Sequence, residues 1–190
     1  MSVAYKLEDY FTYADYCKWD GSERWELIDG IPYAMAAPRP VHQEVVGNLF
    51  LKFREHLDGK KCKVFVSATD VRLNHNKADD TVVQPDIFVV RNPDIIGESA
   101  INGVPDLVIE VLSPSTAKYD KTTKLNAYRK VGVGELWYVD PDIQLIEVLT
   151  LVNGEYTVQA YAAGCKLAVG TLPGLEIDLE SIFGIEAIES

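Results

Sequence analysis

Three cysteines, Cys17, Cys62 and Cys165, are all the thiol chemistry in this 190-residue chain. Odd in number and far apart, they exclude a disulfide framework, and no pair has metal-ligand spacing. They read as buried or incidental thiols, since free cysteine commonly behaves as a small hydrophobe. Long hydrophobic runs are missing as well. None reaches the roughly 18–20 residues of a membrane span. The first ten residues carry acids, Glu8 and Asp9, where a secretory signal would carry bases. The expectation is a cytoplasmic protein with no membrane contact. Positive charge is scarce: 18 Lys and Arg face 29 Asp and Glu, a formal net charge of −11. That argues against an electrostatically sticky nucleic-acid binder, because phosphate attraction supplies most non-specific affinity. Internal repeats and low-complexity segments are also lacking. The length, with 47% apolar and 25% charged residues, fits one globular domain over 1–190 with a core of its own.

What is present reads as many strands and a few helices. Residues 7–18 predict a helix bearing Tyr10, Phe11, Tyr13 and Tyr16. Residues 25–28 and 31–35 flank Asp29-Gly30, a strong hairpin signal. Val45, Val46, Leu49, Phe50, Phe53 and Leu57 recur at helical spacing over 41–57, and Pro40 suits the first turn. Strands follow at 63–67 and 70–73, then a polar exposed turn at 74–81. Two more strands, 84–90 and 105–112, precede the loop 113–116, whose Ser and Thr suit a cap for a helix over 116–131. Gly132 and Gly134 end that helix. An aromatic strand at 135–140 stops at Pro141, a hairpin turns at Asn153-Gly154, and 175–183 reads as an edge strand or short helix. The sum is an α+β protein, a mixed and mostly antiparallel sheet flanked by two or three helices.

The strands 84–90 and 105–112 carry the most informative relationship. If they pair antiparallel with Phe88 opposite Val108, Asp86 falls opposite Glu110. Side chains alternate faces along a strand, so the two carboxylates share a face. Directly opposed residues have Cβ atoms roughly 4.5–5.5 Å apart. Like charges that close need a positive partner, and a divalent cation bound through carboxylate oxygens is the simplest.

The next helix supplies cations: Lys118, Lys121, Lys124, Arg129 and Lys130 stand against the single acid Asp120. This is either a local basic face or an ordinary solvated one. Asp120, Lys124 and Tyr128 fall at i, i+4 and i+8, on one stripe. A Lys124 near the strand ends can reach the paired carboxylates, orient water or stabilise a phosphate. The plainer alternative is a surface Asp120–Lys124 ion pair.

Pro85-Asp86, Glu110-Val111-Leu112 and a lysine on the following helix resemble the PD-(D/E)XK nuclease superfamily, the restriction-endonuclease-like fold. Further stretches are similar to a bacterial branch of uncharacterised restriction endonucleases: 25–30, Met35 with Pro38 and His42, Gln84-Pro85-Asp86, 107–116, Asp120 to Lys124, Tyr128 and 135–141. The likeness covers roughly residues 7–182. It implies a restriction-endonuclease-like core and a metal-dependent endonuclease acting on DNA, with Mg²⁺ or Mn²⁺ on Asp86 and Glu110. The superfamily's lysine stands two residues after the glutamate, where this chain has Leu112. The resemblance then assigns its role to Lys124, with Lys121 the nearest competitor. The rival readings are a catalytically inactive nuclease-fold module that binds nucleic acid or protein, and a hydrolase of small phosphate esters.

Other candidates carry two readings each. Glu26 supplies a further carboxylate or faces solvent from the hairpin. His42 orients water or phosphate, or is a local hydrogen-bonding residue. Glu44 is a weaker candidate on the same helix. His56 and His75 read as surface positions, Trp25 and Trp137 as core aromatics, and Asp106 as a turn or salt-bridge residue. The aromatic strand around Trp137 and the hairpin around Val148 are expected to form a homodimer surface.

Overall fold

The computed structural model describes residues 9–21 and 23–184. The helix predicted over 7–18 shrinks to α1, Tyr13–Tyr16; Leu7 and Glu8 lie outside the described residues. The upstream backbone is committed elsewhere. Phe11 N–H donates to Gly30 and Tyr13 N–H to Asp79, so residues 9–12 cannot close helical rings. Asp15 accepts bonds from the Thr12 amide and hydroxyl, which starts the helix there.

Next come β1 (Trp25–Ile28) and β2 (Ile31–Ala34), paired with Leu27 opposite Pro32. Asp29 and Gly30 both have positive φ, 47° and 77°, as a two-residue primed turn requires. A Cβ on Gly30 would also run into the Tyr10 ring. The long helix α2 spans Pro40–His56 and buries Val45, Val46, Leu49 and Phe53, the predicted stripe. Strands β3 (Lys63–Val66) and β4 (Val71–Arg72) follow.

The strand predicted over 84–90 is shortened. Its first three residues are not strand, and β6 begins only at Ile87; β5, Val82–Val83, lies upstream of the predicted strand and pairs with β1 and β4. Pro85, which has no N–H to give, sits in the break. β7 is Leu107–Val111. Then come α3 (Ala117–Tyr119), a π turn (Asp120–Lys124) and α4 (Leu125–Val131). Thr116 gives no side-chain cap; its hydroxyl bonds Ser113 instead. Gly132 ends α4 at φ 86°. β8 (Glu135–Asp140), β9 (Leu145–Val152), β10 (Glu155–Ala162), β11 (Lys166–Ala168), β12 (Glu176–Asp178) and α5 (Glu180–Phe183) complete the order. The tail is therefore both strand and short helix.

Six strands form one sheet in the order β10-β9-β8-β7-β6-β3, and four form a second, β2-β1-β5-β4. Only β7 and β8 pair in parallel in the large sheet. A parallel pair needs a crossover, and α3, the π turn and α4 supply it. The architecture is α+β, as the sequence implied. One face of the large sheet packs Ile87, Val89, Ile109 and Trp137 against Val45, Leu49 and Phe53 of α2. The other packs Phe88, Val90, Val108 and Leu136 against Tyr128 of the crossover and Ile28, Val71 and Val83 of the small sheet. The predicted carboxylates thus lie on the crossover side of the sheet.

Two expectations change with burial. Trp137 is fully buried and β8 is an interior strand, so the aromatic strand offers no surface to a second copy. The cysteines are free and none is buried: Cys17 and Cys165 are exposed and Cys62 half-buried. Among the described residues, no helix is long and apolar enough to cross a membrane.

Candidate active site

β6 and β7 pair with Phe88 opposite Val108, the register read from the sequence, and Asp86 and Glu110 line one pocket. Asp86 sits just before β6. Its Oδ2 accepts from the Val111 amide at 2.8 Å and contacts His42 Nε2 at 3.1 Å. The first turn of α2 thereby locks the carboxylate across the strand end. Glu110 is almost wholly buried; its Oε1 accepts from Tyr128 at 2.5 Å and from Lys124 Nζ at 2.6 Å.

Lys124 is the lysine that reaches the carboxylates. Its ammonium also lies 3.0 Å from Glu26 Oε1 and 4.0 Å from Asp120 Oδ1, and only 3% of the side chain is exposed. The π turn ends on Lys124 and changes the stagger of the helix there. Such turns are frequent at functional sites. Glu26 does not face solvent: it is 2% exposed, and it accepts from the Gln84 amide (2.8 Å) and the Tyr119 hydroxyl (3.0 Å). It lies on the small sheet, so the site is built where the two sheets and the crossover meet.

The electrostatics are strained toward negative. Burial is the largest influence on Glu110 and pushes its pKa up to about 8; Asp120, Asp86 and Glu26 act the same way, while Lys124 opposes them. Burial also raises Asp120, again against Lys124. For Lys124, burial alone would lower the pKa, but Glu110, then Glu26, Tyr128 and Asp120 outweigh it and hold the value well above normal. The ammonium stays charged. Burial and Glu110 likewise keep the proton on Tyr128, which fixes it as a donor. Three carboxylates, Glu26, Glu110 and Asp120, therefore share one ammonium, and Asp86 lines the same pocket of about 310 Å³. Asp86 Oδ1 and Glu110 Oε2 have no hydrogen-bond partner among the described residues.

This geometry agrees with what the chain is similar to. Residues 8–180 match the model of the Uma2 family, described as "Putative restriction endonuclease". The chain belongs to the Uma2 family. An uncharacterized protein of Synechocystis sp. is 31% identical over 116 residues, which span 60% of this chain and 60% of that relative's own length. The crystal structure of a "putative nuclease belonging to DUF820" from Anabaena variabilis superposes with a TM-score of 0.74 at 19% identity, covering 91% of this chain and 97% of that one. At that identity it establishes the shared fold alone.

In this Uma2 chain the rival lysine is elsewhere. Lys121 is exposed and pairs with Glu147. The rest of the basic helix is largely neutralised, Arg129 by Glu155 and Lys130 by Asp29, with Lys118 exposed. Glu44 is exposed. His56 lies beside Lys60 on α2, and His75 is half-buried in the 74–81 turn. Asp106 is a turn residue, accepting from the Arg91 amide at 2.7 Å. Trp25 is half-buried against Trp19. Sequence reasoning missed Tyr119 and Arg24, and the role of Gln84. Gln84 joins Arg24, Tyr16 and Asp70. The only signal available was its place two residues before Asp86, on the same side of an extended chain.

Proposed function

We propose that this protein is a metal-dependent endonuclease that hydrolyses DNA phosphodiester bonds, with Asp86 and Glu110 holding Mg²⁺ or Mn²⁺. The observation that carries the reading is the approach of Lys124 to Glu110 within 2.6 Å. It returns to the site the cation that Leu112 took away.

The donor set fits such an ion. Among the described residues, Asp86 and Glu110 each keep an oxygen without a protein partner, and the pocket has an excess of negative charge. Among the described residues, no three His, Cys, Asp or Glu side chains form a ready-made cage. Mg²⁺ binds through one or two carboxylates and completes its shell with water and substrate phosphate. When bound, the ion supplies Lewis-acid polarisation of a phosphate oxygen. Lys124 neutralises charge developing on that phosphate. Glu26 and Tyr128 act through others, Glu26 by holding the ammonium and Tyr128 by fixing Glu110. His42 sets the orientation of Asp86.

The test is a Mg²⁺ and Mn²⁺ titration by calorimetry on wild type and Asp86→Ala, with plasmid cleavage followed in the same samples. Binding and cleavage should both vanish in the variant. Wild-type cleavage by Asp86→Ala would sink the assignment.

A second reading has its own support, the neutralised basic helix. A catalytically inactive module that binds nucleic acid or protein would show metal-dependent stability and no cleavage by the wild type.

A further inference from the structure

The pocket is lined by one arginine, Arg24, and among the described residues no carboxylate forms an ion pair with it. Arg24 lies two residues before Glu26, just upstream of β1. Its Nε and Nη2 both donate to Gln84 Oε1, at 3.0 and 2.6 Å, and Nη2 also donates to Ser67 Oγ at 2.6 Å. All three bonds end on neutral oxygens. Nη1 has no protein partner among the described residues.

This is unusual for the chain. Of the other five arginines, Arg39, Arg54, Arg72 and Arg129 each pair with a carboxylate and Arg91, outside the pocket, does not, in a sequence with 29 acids. Lys124, the other lysine or arginine lining the pocket, is engaged by Glu26 and Glu110. Arg24 is therefore the cation there with attraction to spare. It is exposed, so a ligand can reach it.

Its position is built. Gln84 holds the guanidinium fork in plane, and Gln84 is itself pinned: its amide donates to Glu26, and its Nε2 to Tyr16 at 3.1 Å and Asp70 at 2.8 Å. Arg24 and Gln84 thus stand one strand step outward, roughly 6–7 Å, from Glu26 and Asp86. A second hollow of about 390 Å³ continues from the pocket, and both are lined by Arg24, Pro38, Gln43, Ser67 and Asp86. Together they make one continuous trough past Ser67 and Arg24.

We propose that Arg24 is a phosphate-binding residue of this trough, gripping a backbone phosphate beside the one that is cut. A planar fork with free N–H donors and no ion pair suits a phosphodiester better than a point charge would. The inference rests on the nuclease reading and assigns the path of the strand: from Asp86 and Glu110 outward past Ser67 and Arg24. The structural alternative is that Arg24 only buttresses Gln84.

The test uses the full chain, wild type and Arg24→Met, Arg24→Lys. Binding of a fluorescent DNA oligonucleotide is measured in Ca²⁺ over a series of KCl concentrations, and cleavage of the same oligonucleotide in Mg²⁺. Loss of one charged phosphate contact should weaken binding by Arg24→Met about tenfold. It should lower the slope of log affinity against log salt by about 1. KM should rise with kcat little changed, and Arg24→Lys should recover the salt slope with only part of the affinity. Unchanged affinity and slope in Arg24→Met, beside a cleaving wild type, would overturn this proposal and leave the nuclease reading standing. A wild type that neither binds nor cleaves would overturn both.

Discussion

Lys124 and Glu110 form an ion pair with Nζ 2.6 Å from Oε1, both side chains at least 96% buried, and the hydroxyl of Tyr128 donates to the same oxygen. Removing one partner of a buried pair strands the other. Lys124→Met should therefore lose about 3–5 kcal/mol of stability in urea unfolding. If Lys124 neutralises the developing charge, cleavage should drop about 10²–10³-fold. Lys124→Arg, which keeps the charge, separates folding from chemistry. Wild-type cleavage by a folded Lys124→Met would remove this lysine from the mechanism.

His42 touches Asp86 from α2 and is 6% exposed. Groups that orient a metal ligand typically matter 10–100-fold in affinity. The expected outcome for His42→Ala is Mn²⁺ binding weakened by about that factor, read by calorimetry, with circular dichroism unchanged. An unaltered isotherm would make His42 a purely local hydrogen-bonding residue.

Asp80 gives a pH dependence that is independent of the site. Burial would raise its pKa, but bonds from Tyr10, Asn74 and Thr81, helped by Lys130, outweigh that and lower it from the ordinary 3.8. A carboxyl depressed in the folded state stabilises above its unfolded pKa and loses that contribution as pH falls through the folded one. Stability should accordingly decline below pH about 4. In Asp80→Asn this part of the decline should disappear, with a loss of about 1–3 kcal/mol at neutral pH from the weakened bonds. Parallel acid-unfolding profiles for the two proteins would contradict it.

Gly132 provides a control away from the pocket. It closes α4 at φ 86°, and a Cβ there would meet nothing nearer than Leu151 at 4.0 Å. The cost of Gly132→Ala is then backbone strain alone, about 1–2 kcal/mol. Thermal unfolding should show that loss while DNA cleavage per folded molecule is unchanged.

Much of the fold is written locally. The Asp29-Gly30 and Asn153-Gly154 turns, the stripe of α2 and the αL stop at Gly132 follow from φ preferences and the 3.6-residue period. The failures are equally local in cause. The segment 9–12 reads as helical by composition, but the amides of Phe11 and the following Tyr13 bond to Gly30 and Asp79, partners that no window of sequence contains. Pro85 delays the strand predicted over 84–90, so that β6 begins only at Ile87.

The sequence by itself determined that Asp86 and Glu110 share a face once Phe88 stands opposite Val108, because strand alternation then leaves no other placement; the register itself is a tertiary fact. The resemblance to the nuclease superfamily, with Leu112 where its lysine would stand, pointed to a lysine of the next helix. Which lysine, and with what partners, only the tertiary structure decided. The π turn brings Lys124 to the carboxylates and leaves Lys121 on the surface beside Glu147. Glu26 and Gln84 reach the site because the small sheet packs over the large one, and His42 because α2 begins at the strand end. Those contacts join residues distant in sequence, and their positions are set by how whole layers bury apolar surface, a quantity that no local spacing encodes.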